Sequence, residues 1–150
     1  MTHQKYDVII ADTSCLILLD KISELELLSK IFKNITITKI IANEFGNILP
    51  DWITIIDNSI SKNIALFELE VDIGEASAFS LAIDYLNPLL IIDDLKARNL
   101  AKKLKLNYTG TFGILLKAKE LGLIDNSESL INKIKCTNFH ISDELIELLK

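Results

Sequence analysis

The chain has 150 residues, of which 49% are hydrophobic, and its formal net charge is −5. This length suits a single domain with a sizeable core, and because no apolar run reaches about 18 residues, the sequence excludes a membrane-spanning helix. The acidic balance argues against a protein that coats nucleic acid tightly irrespective of sequence, although bound cations can still bring an acidic enzyme to nucleic acid.

Short apolar segments alternate with amphipathic ones along the whole chain. We predict five strands, at residues 6–11, 34–38, 52–56, 89–92 and 106–108. We predict nine helices, at residues 14–20, 23–32, 39–45, 59–68, 73–86, 95–104, 110–121, 127–135 and 142–149.

Wholly apolar strands that alternate with helices are typical of a parallel sheet covered on both faces. The sequence therefore predicts an α/β fold, a three-layer α/β/α sandwich around a central parallel sheet of four to five strands. No repeat or linker interrupts the chain, so we expect one domain over residues 1–150, with the C-terminal helices from about residue 125 packed on it.

The cysteines and the N-terminus limit the setting of the protein. Two cysteines are too few for a disulfide framework or a structural zinc site. Cys15 lies within an apolar run, which favours a buried position over a thiol nucleophile paired with His3 or His140. The N-terminus lacks the apolar segment of a signal peptide, so we expect a cytoplasmic location.

Acidic residues stand at separate places that this fold can bring together. Asp12 and the pair Asp93-Asp94 each follow a predicted strand, whereas Glu44 and Glu75 lie on the apolar sides of predicted helices. The carboxyl ends of parallel strands form the usual ligand site of such sheets. Gathered carboxylates repel one another and need a counter-charge, and a hard cation such as Mg²⁺ prefers oxygen ligands. Metal-assisted phosphodiester hydrolysis uses such an arrangement.

All but one of these acids also have a structural explanation. Asp12 can cap the helix that follows it, Glu44 can be a solvated residue at the edge of an apolar stripe, and Asp72 with Glu75 matches the capping-box pattern. One acid of the pair at 93–94 can cap the next helix, which leaves the other without an evident structural role.

Four segments in this order resemble the PIN domain, the Mg²⁺- or Mn²⁺-dependent ribonuclease fold of many toxin–antitoxin systems. They are residues 9–19 (IIADTSCLILL), 40–45 (IIANEF), 74–82 (GEASAFSLA) and 90–98 (LIIDDLKAR), and the segment at 109–124 (TGTFGILLKAKELGLI) adds to the likeness. The resemblance covers nearly the whole chain, to about Ile124.

The resemblance implies roles for the acids and for the hydroxyls beside the first of them. It implies that one or two Mg²⁺ or Mn²⁺ ions bind Asp12, Glu44, Glu75 and Asp94, with the adjoining Asp93 as a fifth, supporting ligand. It further implies that Thr13 or Ser14 orients Asp12 or a metal-bound water, and both are candidates for contact with the substrate phosphate. The chain has Glu75 where most PIN domains have Asp, and Ile92 where many have Thr or Ser.

Positive charge follows the acidic pair. Lys96 and Arg98 lie on a helix that is either a solvated face or a grip for substrate phosphate, with Arg98 pairing to phosphate or to Asp93. The turn at 109–113 contains two glycines and is either a purely structural turn or an anion-binding site.

Three functional hypotheses follow. The first is a metal-dependent endoribonuclease, the toxin of a toxin–antitoxin pair, inhibited by a small antitoxin and homodimeric. The second is a non-catalytic PIN-like module that binds RNA or protein. A phosphotransfer domain of the receiver or haloacid-hydrolase kind is disfavoured, because the residues after Asp12 offer neither a second acid nor the Asp-x-Asp pattern.

Overall fold

The computed structural model describes residues 5–150, in which five strands form one sheet. The strands are β1 (Val8–Ala11), β2 (Ile35–Thr38), β3 (Ile53–Ile56), β4 (Pro88–Ile91) and β5 (Asn107–Thr109). Their order across the sheet is β3-β2-β1-β4-β5, and every pairing is parallel. The predicted parallel sheet is thus confirmed.

The described part of the chain contains nine helices. They are α1 (Thr13–Lys21), α2 (Leu27–Phe32), α3 (Lys39–Phe45), α4 (Asn63–Phe67), α5 (Ile73–Ala82), α6 (Leu95–Lys103), α7 (Thr111–Glu120), α8 (Ser127–Lys135) and α9 (Asp143–Leu149). Helix α5 packs against β1, β2 and β4, while α2 and α7 pack against each other and contact β2 and β5, respectively. The predicted three-layer α/β/α arrangement is confirmed.

Three helices are shorter than predicted, each for a local reason. Helix α2 starts only at Leu27 because Ser23 has a positive φ of 59°, which breaks the helix predicted from residue 23. Helix α4 starts late because the Asp57 carboxylate accepts hydrogen bonds from the amide and hydroxyl of Ser59 and forms a turn. Helix α5 ends four residues early, in a tightened last turn just before Pro88.

The three inner strands carry the core. All residues of β1, β2 and β4 are buried, since helices cover both faces of the sheet there. Leu16, Leu19 and Phe79 are among the largest fully buried side chains and pack against these strands. Near the other end of the chain, α9 contacts α7 and α8. Within residues 5–150, every helix is too short or too polar to cross a membrane.

The strand order places a switch point between β1 and β4. From β1 the chain runs outward to β2 and β3, then returns to the other side of β1 as β4. The Asp12 amide donates to the Ile91 carbonyl (3.0 Å), so the two strands stay paired up to the residues that follow them. The carboxyl ends of β1 and β4, with Asp12 and the 93–94 pair, therefore lie side by side at the position where such sheets bind ligands.

Candidate active site

Asp12 is a buried carboxylate at the centre of the switch point. It occupies the N-cap position of α1, yet its side chain makes no capping hydrogen bond, and the residue is only 6% exposed. Burial raises its pKa to about 7; the backbone N–H of Thr13 opposes this shift, and the charges of Asp72, Glu44 and Asp93 add to it. A capping role therefore does not explain Asp12.

Glu75 lies in the first turn of α5 and has two roles at once. It forms a capping box with Asp72, in which the Glu75 amide donates to Asp72 Oδ1 (2.9 Å) and the Asp72 amide donates to Glu75 Oε1 (3.3 Å). Glu75 is nevertheless 5% exposed, and its pKa is raised to about 8, first by burial and then by the charges of Asp12, Asp72 and Asp94. The capping interpretation was correct but incomplete.

Glu44 reaches the same place from helix α3. The residue is exposed, but its carboxylate accepts a hydrogen bond of 2.6 Å from the Thr13 hydroxyl, directly beside Asp12. It also lies against Gly74, where a Cβ atom would collide with the Glu44 carboxylate. A side chain at position 74 would thus force Glu44 out of its position. Ser14, by contrast, is exposed and lines a separate small cavity with Ile17 and Phe139.

The two acids at 93–94 have different surroundings. Asp94 caps α6 through one oxygen, which accepts from the Ala97 amide (3.1 Å), and it lines a cleft of about 380 Å³ together with Asp72, Glu75 and Lys96. Asp93 faces the start of α7, where its two oxygens accept from the Thr111 amide (2.7 Å) and the Thr111 hydroxyl (2.6 Å). The expectation that one acid of the pair lacks a structural role is therefore wrong.

Arg98 completes the surroundings of Asp93. Its Nη2 lies 3.9 Å from Asp93 Oδ1, so the predicted contact between the two residues is present. Its Nε donates to the Ile92 carbonyl (3.1 Å), and the guanidinium carbon lies 5.6 Å from the centre of the Tyr108 ring. The guanidinium packs directly on the backbone of Gly110, where a Cβ would collide with it.

Two participants were missed from the sequence. Asp72 was read only as a cap, although its charge raises the pKa of both Asp12 and Glu75. Thr111 was not singled out, and its pairing with Asp93 joins residues 18 positions apart. We call Asp12, Glu44, Asp72, Glu75 and Asp94 the acid cluster, and Asp93, Arg98, Gly110 and Thr111 the Asp93 clamp.

The chemistry of the acid cluster fits a hard divalent cation. All its donors are carboxylate oxygens, and within residues 5–150 none of its five carboxylates forms a salt bridge with lysine or arginine. Two of them are buried with pKa values raised to about 7 and about 8. In the same part of the chain, no three acidic, His or Cys side chains stand in ligand geometry as they are. Binding would therefore require side-chain adjustment.

Comparison with known families assigns the chain. The model of the DUF3368 family, described as a PIN domain, matches residues 8–150. The chain belongs to the PIN-domain family. No curated protein and no solved structure matches it. PIN domains are generally nucleases that use divalent metals, so this PIN domain has a nuclease-like fold, and nucleic acid is the substrate class that its family suggests.

The cysteine alternative fails on burial. Cys15 is buried, and burial raises the pKa of its thiol to about 12, although a hydrogen bond with the Thr111 side chain opposes the shift. The thiolate needed for nucleophilic attack is therefore absent at neutral pH. His140 lies at another cavity, described below, and His3 lies outside the described residues.

Proposed function

We propose that this PIN domain is a metal-dependent endoribonuclease. The observation that supports it most strongly is the pair of buried carboxylates, Asp12 and Glu75, whose mutual repulsion has no basic partner within residues 5–150. Such an arrangement costs stability unless a cation neutralises it, and structures that keep perturbed carboxylates in a cleft generally use them.

The acids would have different roles in metal binding. Asp12, Glu44, Glu75 and Asp94 would hold one or two Mg²⁺ or Mn²⁺ ions, and Asp72 would add negative charge at the edge. The bound ion would supply a Lewis acid that lowers the pKa of water and stabilises charge on the phosphate. Asp93, the fifth residue predicted as a ligand, we propose as a supporting residue, because both its oxygens accept from Thr111.

Neighbouring polar groups would position these acids and the substrate. The Thr13 hydroxyl holds the Glu44 carboxylate through its 2.6 Å hydrogen bond and would fix its direction toward the ion. Lys96, in the wall of the acidic cleft, would attract the phosphate backbone, as would Arg98 beside Asp93.

We further propose that the nuclease is the toxin of a toxin–antitoxin pair, acts in the cytoplasm on RNA, and forms a homodimer. An uninhibited ribonuclease would harm its host, which gives a small inhibitory partner a reason to exist. A large apolar side chain, Leu69, lines the acidic cleft at 83% exposure, and Leu95, between the cleft residues Asp94 and Lys96 in the chain, is 70% exposed. A partner that covered them would also block access to the acids.

Two observations favour the non-catalytic alternative. Within residues 5–150 no group of acids stands ready in metal-ligand geometry, and Ile92 is buried where many PIN domains have a hydroxyl residue. A PIN-like module that binds RNA or protein without cutting would have this appearance.

Cleavage of single-stranded RNA by purified protein separates the two proposals. We expect cuts with Mn²⁺ or Mg²⁺, none with EDTA, and loss of the cuts in Asp12→Asn. Asp84→Asn is the matched control, because Asp84 is exposed and lies in the turn between α5 and β4, before the strand begins and so at the opposite end of the sheet from the acids. RNA binding without metal-dependent cleavage would favour the non-catalytic module. Cleavage that survives in Asp12→Asn would refute the assigned site.

A further inference from the structure

A second cavity, of about 550 Å³, lies beside the Asp93 clamp, and Asp93 and Arg98 form part of its wall. Its lining is unlike that of the acidic cleft, because it combines aromatic rings with cationic and imidazole groups. The residues that matter here are Tyr108, Phe112, Phe139, His140 and Arg98, which we call the aromatic pocket.

The fold presents these rings to solvent from three separate segments. Tyr108 belongs to β5, the edge strand, and Phe112 to the first turn of α7, whereas Phe139 and His140 lie between α8 and α9. The three rings of Tyr108, Phe112 and Phe139 are half-buried and pack against the core, while His140 is exposed. Part of each ring is thus anchored and part is open.

Arg98 joins the pocket to Asp93, which is the chain neighbour of Asp94 in the acid cluster. It lies over the Tyr108 ring and donates to the Ile92 carbonyl, while its distance to Asp93, 3.9 Å, is longer than a tight ion pair needs. Asp93 instead makes its short hydrogen bonds to Thr111. The guanidinium therefore has a fixed direction and capacity left for another anion.

The start of α7 does not provide that anion site. Its first amide, from Thr111, already donates to Asp93, so a carboxylate of the protein occupies the place where a phosphate would sit. The glycines of the 109–113 turn instead make room: a Cβ at Gly110 would collide with Arg98, and one at Gly113 with the Thr109 hydroxyl. This accounts for the turn that the sequence singled out without assigning it a function.

We infer that the aromatic pocket binds one unpaired nucleobase of single-stranded RNA, with Arg98 pairing to the phosphate of that nucleotide, next to the phosphodiester held at the acid cluster. Every base presents a π-face, and stacking on aromatic side chains is how proteins bind single strands. A base within a duplex has its faces covered, so the pocket selects single-stranded RNA. The inference rests on the proposed nuclease function.

Binding measured without turnover tests the pocket itself. Full-length protein carrying Asp12→Asn would be titrated in EDTA with a fluorescein-labelled single-stranded octaribonucleotide, the same octamer with abasic residues, and a duplex of equal length. We expect Phe112→Leu, which keeps apolar bulk but removes the ring, to weaken single-strand binding about tenfold. Tyr85→Leu is the matched control, a half-buried aromatic outside this pocket, and should bind within about twofold of the parent.

The substrates and variants give opposite results if the inference is wrong. The pocket is refuted if Phe112→Leu binds as tightly as the parent, if the abasic octamer or the duplex binds as well as the intact single strand, or if the parent binds no RNA. His140→Ala, at an exposed position, and Arg98→Lys, which keeps charge but loses the planar fork, should each weaken binding severalfold without loss of folding.

Photocrosslinking locates the base without any variant in the pocket. An octamer containing 5-iodouridine should crosslink to Tyr108, Phe112, Phe139 or His140, as read by mass spectrometry of the peptides. Crosslinks confined to other peptides would overturn the inference. If wild-type protein cuts nothing with Mn²⁺ while base-dependent binding is present and crosslinks map here, the nuclease proposal fails and the pocket stands. If cleavage is strong but these binding differences are absent, only the pocket fails.

Discussion

Carboxylates are held in two neighbouring regions of this molecule, and their surroundings are opposite. In the Asp93 clamp, the acid accepts two short hydrogen bonds from Thr111 and has Arg98 beside it. In the acid cluster, Asp12 and Glu75 are more buried than Asp93, and this burial, with the charges of neighbouring acids, raises their pKa. Asp93 thus lies in a region where the carboxylate is hydrogen-bonded through both oxygens. The adjacent Asp94 lies in a region where carboxylates repel one another.

The difference separates structural acids from acids that await a ligand. A buried carboxylate with donors contributes to folding, whereas one that faces like charges costs folding free energy and is retained for another reason. Neutralising an acid should therefore cost stability in the Asp93 clamp, whereas in the acid cluster it should cost cleavage and little stability, which the following variants test.

The largest expected effect is on cleavage by Glu75→Gln. Glutamine keeps the size and can still accept from the Asp72 amide in the capping box, but it removes the charge. Because loss of groups that only support metal ligands costs about 10- to 100-fold, loss of a ligand should cost metal-dependent cleavage 100-fold or more. Glu144→Gln, an exposed glutamate in α9, is the control. Cleavage within about threefold of wild type would remove Glu75 from the site.

The next largest effects are expected from separate substitutions of the neighbouring acids Asp93 and Asp94. Asp93→Ala leaves the buried Thr111 amide without its acceptor, so urea denaturation should show a loss of about 1–3 kcal/mol. Asp94→Asn can still accept from the Ala97 amide, so its stability should change little while cleavage falls sharply. Equal stability losses in the two variants would erase the contrast drawn between the regions.

The pH dependence of stability follows from the same contrast. The pKa of Asp12 rises from an ordinary 3.8 to about 7, and that of Glu75 from 4.5 to about 8. The folded protein therefore binds more protons than the unfolded chain between about pH 4 and pH 8, so metal-free stability should fall as pH rises through this window.

Thermal melting in EDTA at pH 5 and pH 8 measures this loss. We expect the Tm to drop by a few degrees, and about 1 mM Mn²⁺ to raise it more at pH 8, where Asp12 is mostly ionised and Glu75 about half ionised, than at pH 5. In Asp12→Asn, both the drop and the Mn²⁺ effect should shrink. A Tm that rises from pH 5 to pH 8 in EDTA would show that folding does not raise the pKa values of these two carboxylates.

The fold and the positions of the acids could be predicted from the sequence, because both depend on local patterns. The apolar runs of β1 and β4 and the acids that follow them are adjacent in the chain, and parallel pairing brings their ends together. The capping box of Asp72 and Glu75 is likewise local, with a spacing of three residues.

Contacts between distant segments could not be predicted from the sequence. The Thr13–Glu44 hydrogen bond spans 31 positions and the Asp93–Thr111 pair 18, and no local pattern indicates either partner. Asp72 was read as a cap alone, since its second role depends on how closely α5 approaches β1. The end of α5 was also placed too late, because the apolar spacing continues through Ile83 and Leu86 although the backbone tightens there.

The smallest expected effect comes from a single methyl group. Gly74 lies in the first turn of α5 with an ordinary backbone, and Ala is the better helix former, so Gly74→Ala should keep or slightly raise the Tm. Its Cβ, however, would occupy the place of the Glu44 carboxylate, which must then leave the Thr13 hydroxyl. Cleavage should fall about tenfold, the scale for a displaced or unsupported ligand.

Thr13→Val, which removes the same hydrogen bond from the other side, should give a similar loss of cleavage. The double variant should add little to the loss in either single variant. Additive losses would mean that Gly74 and Thr13 act separately and that Glu44 is not their common target.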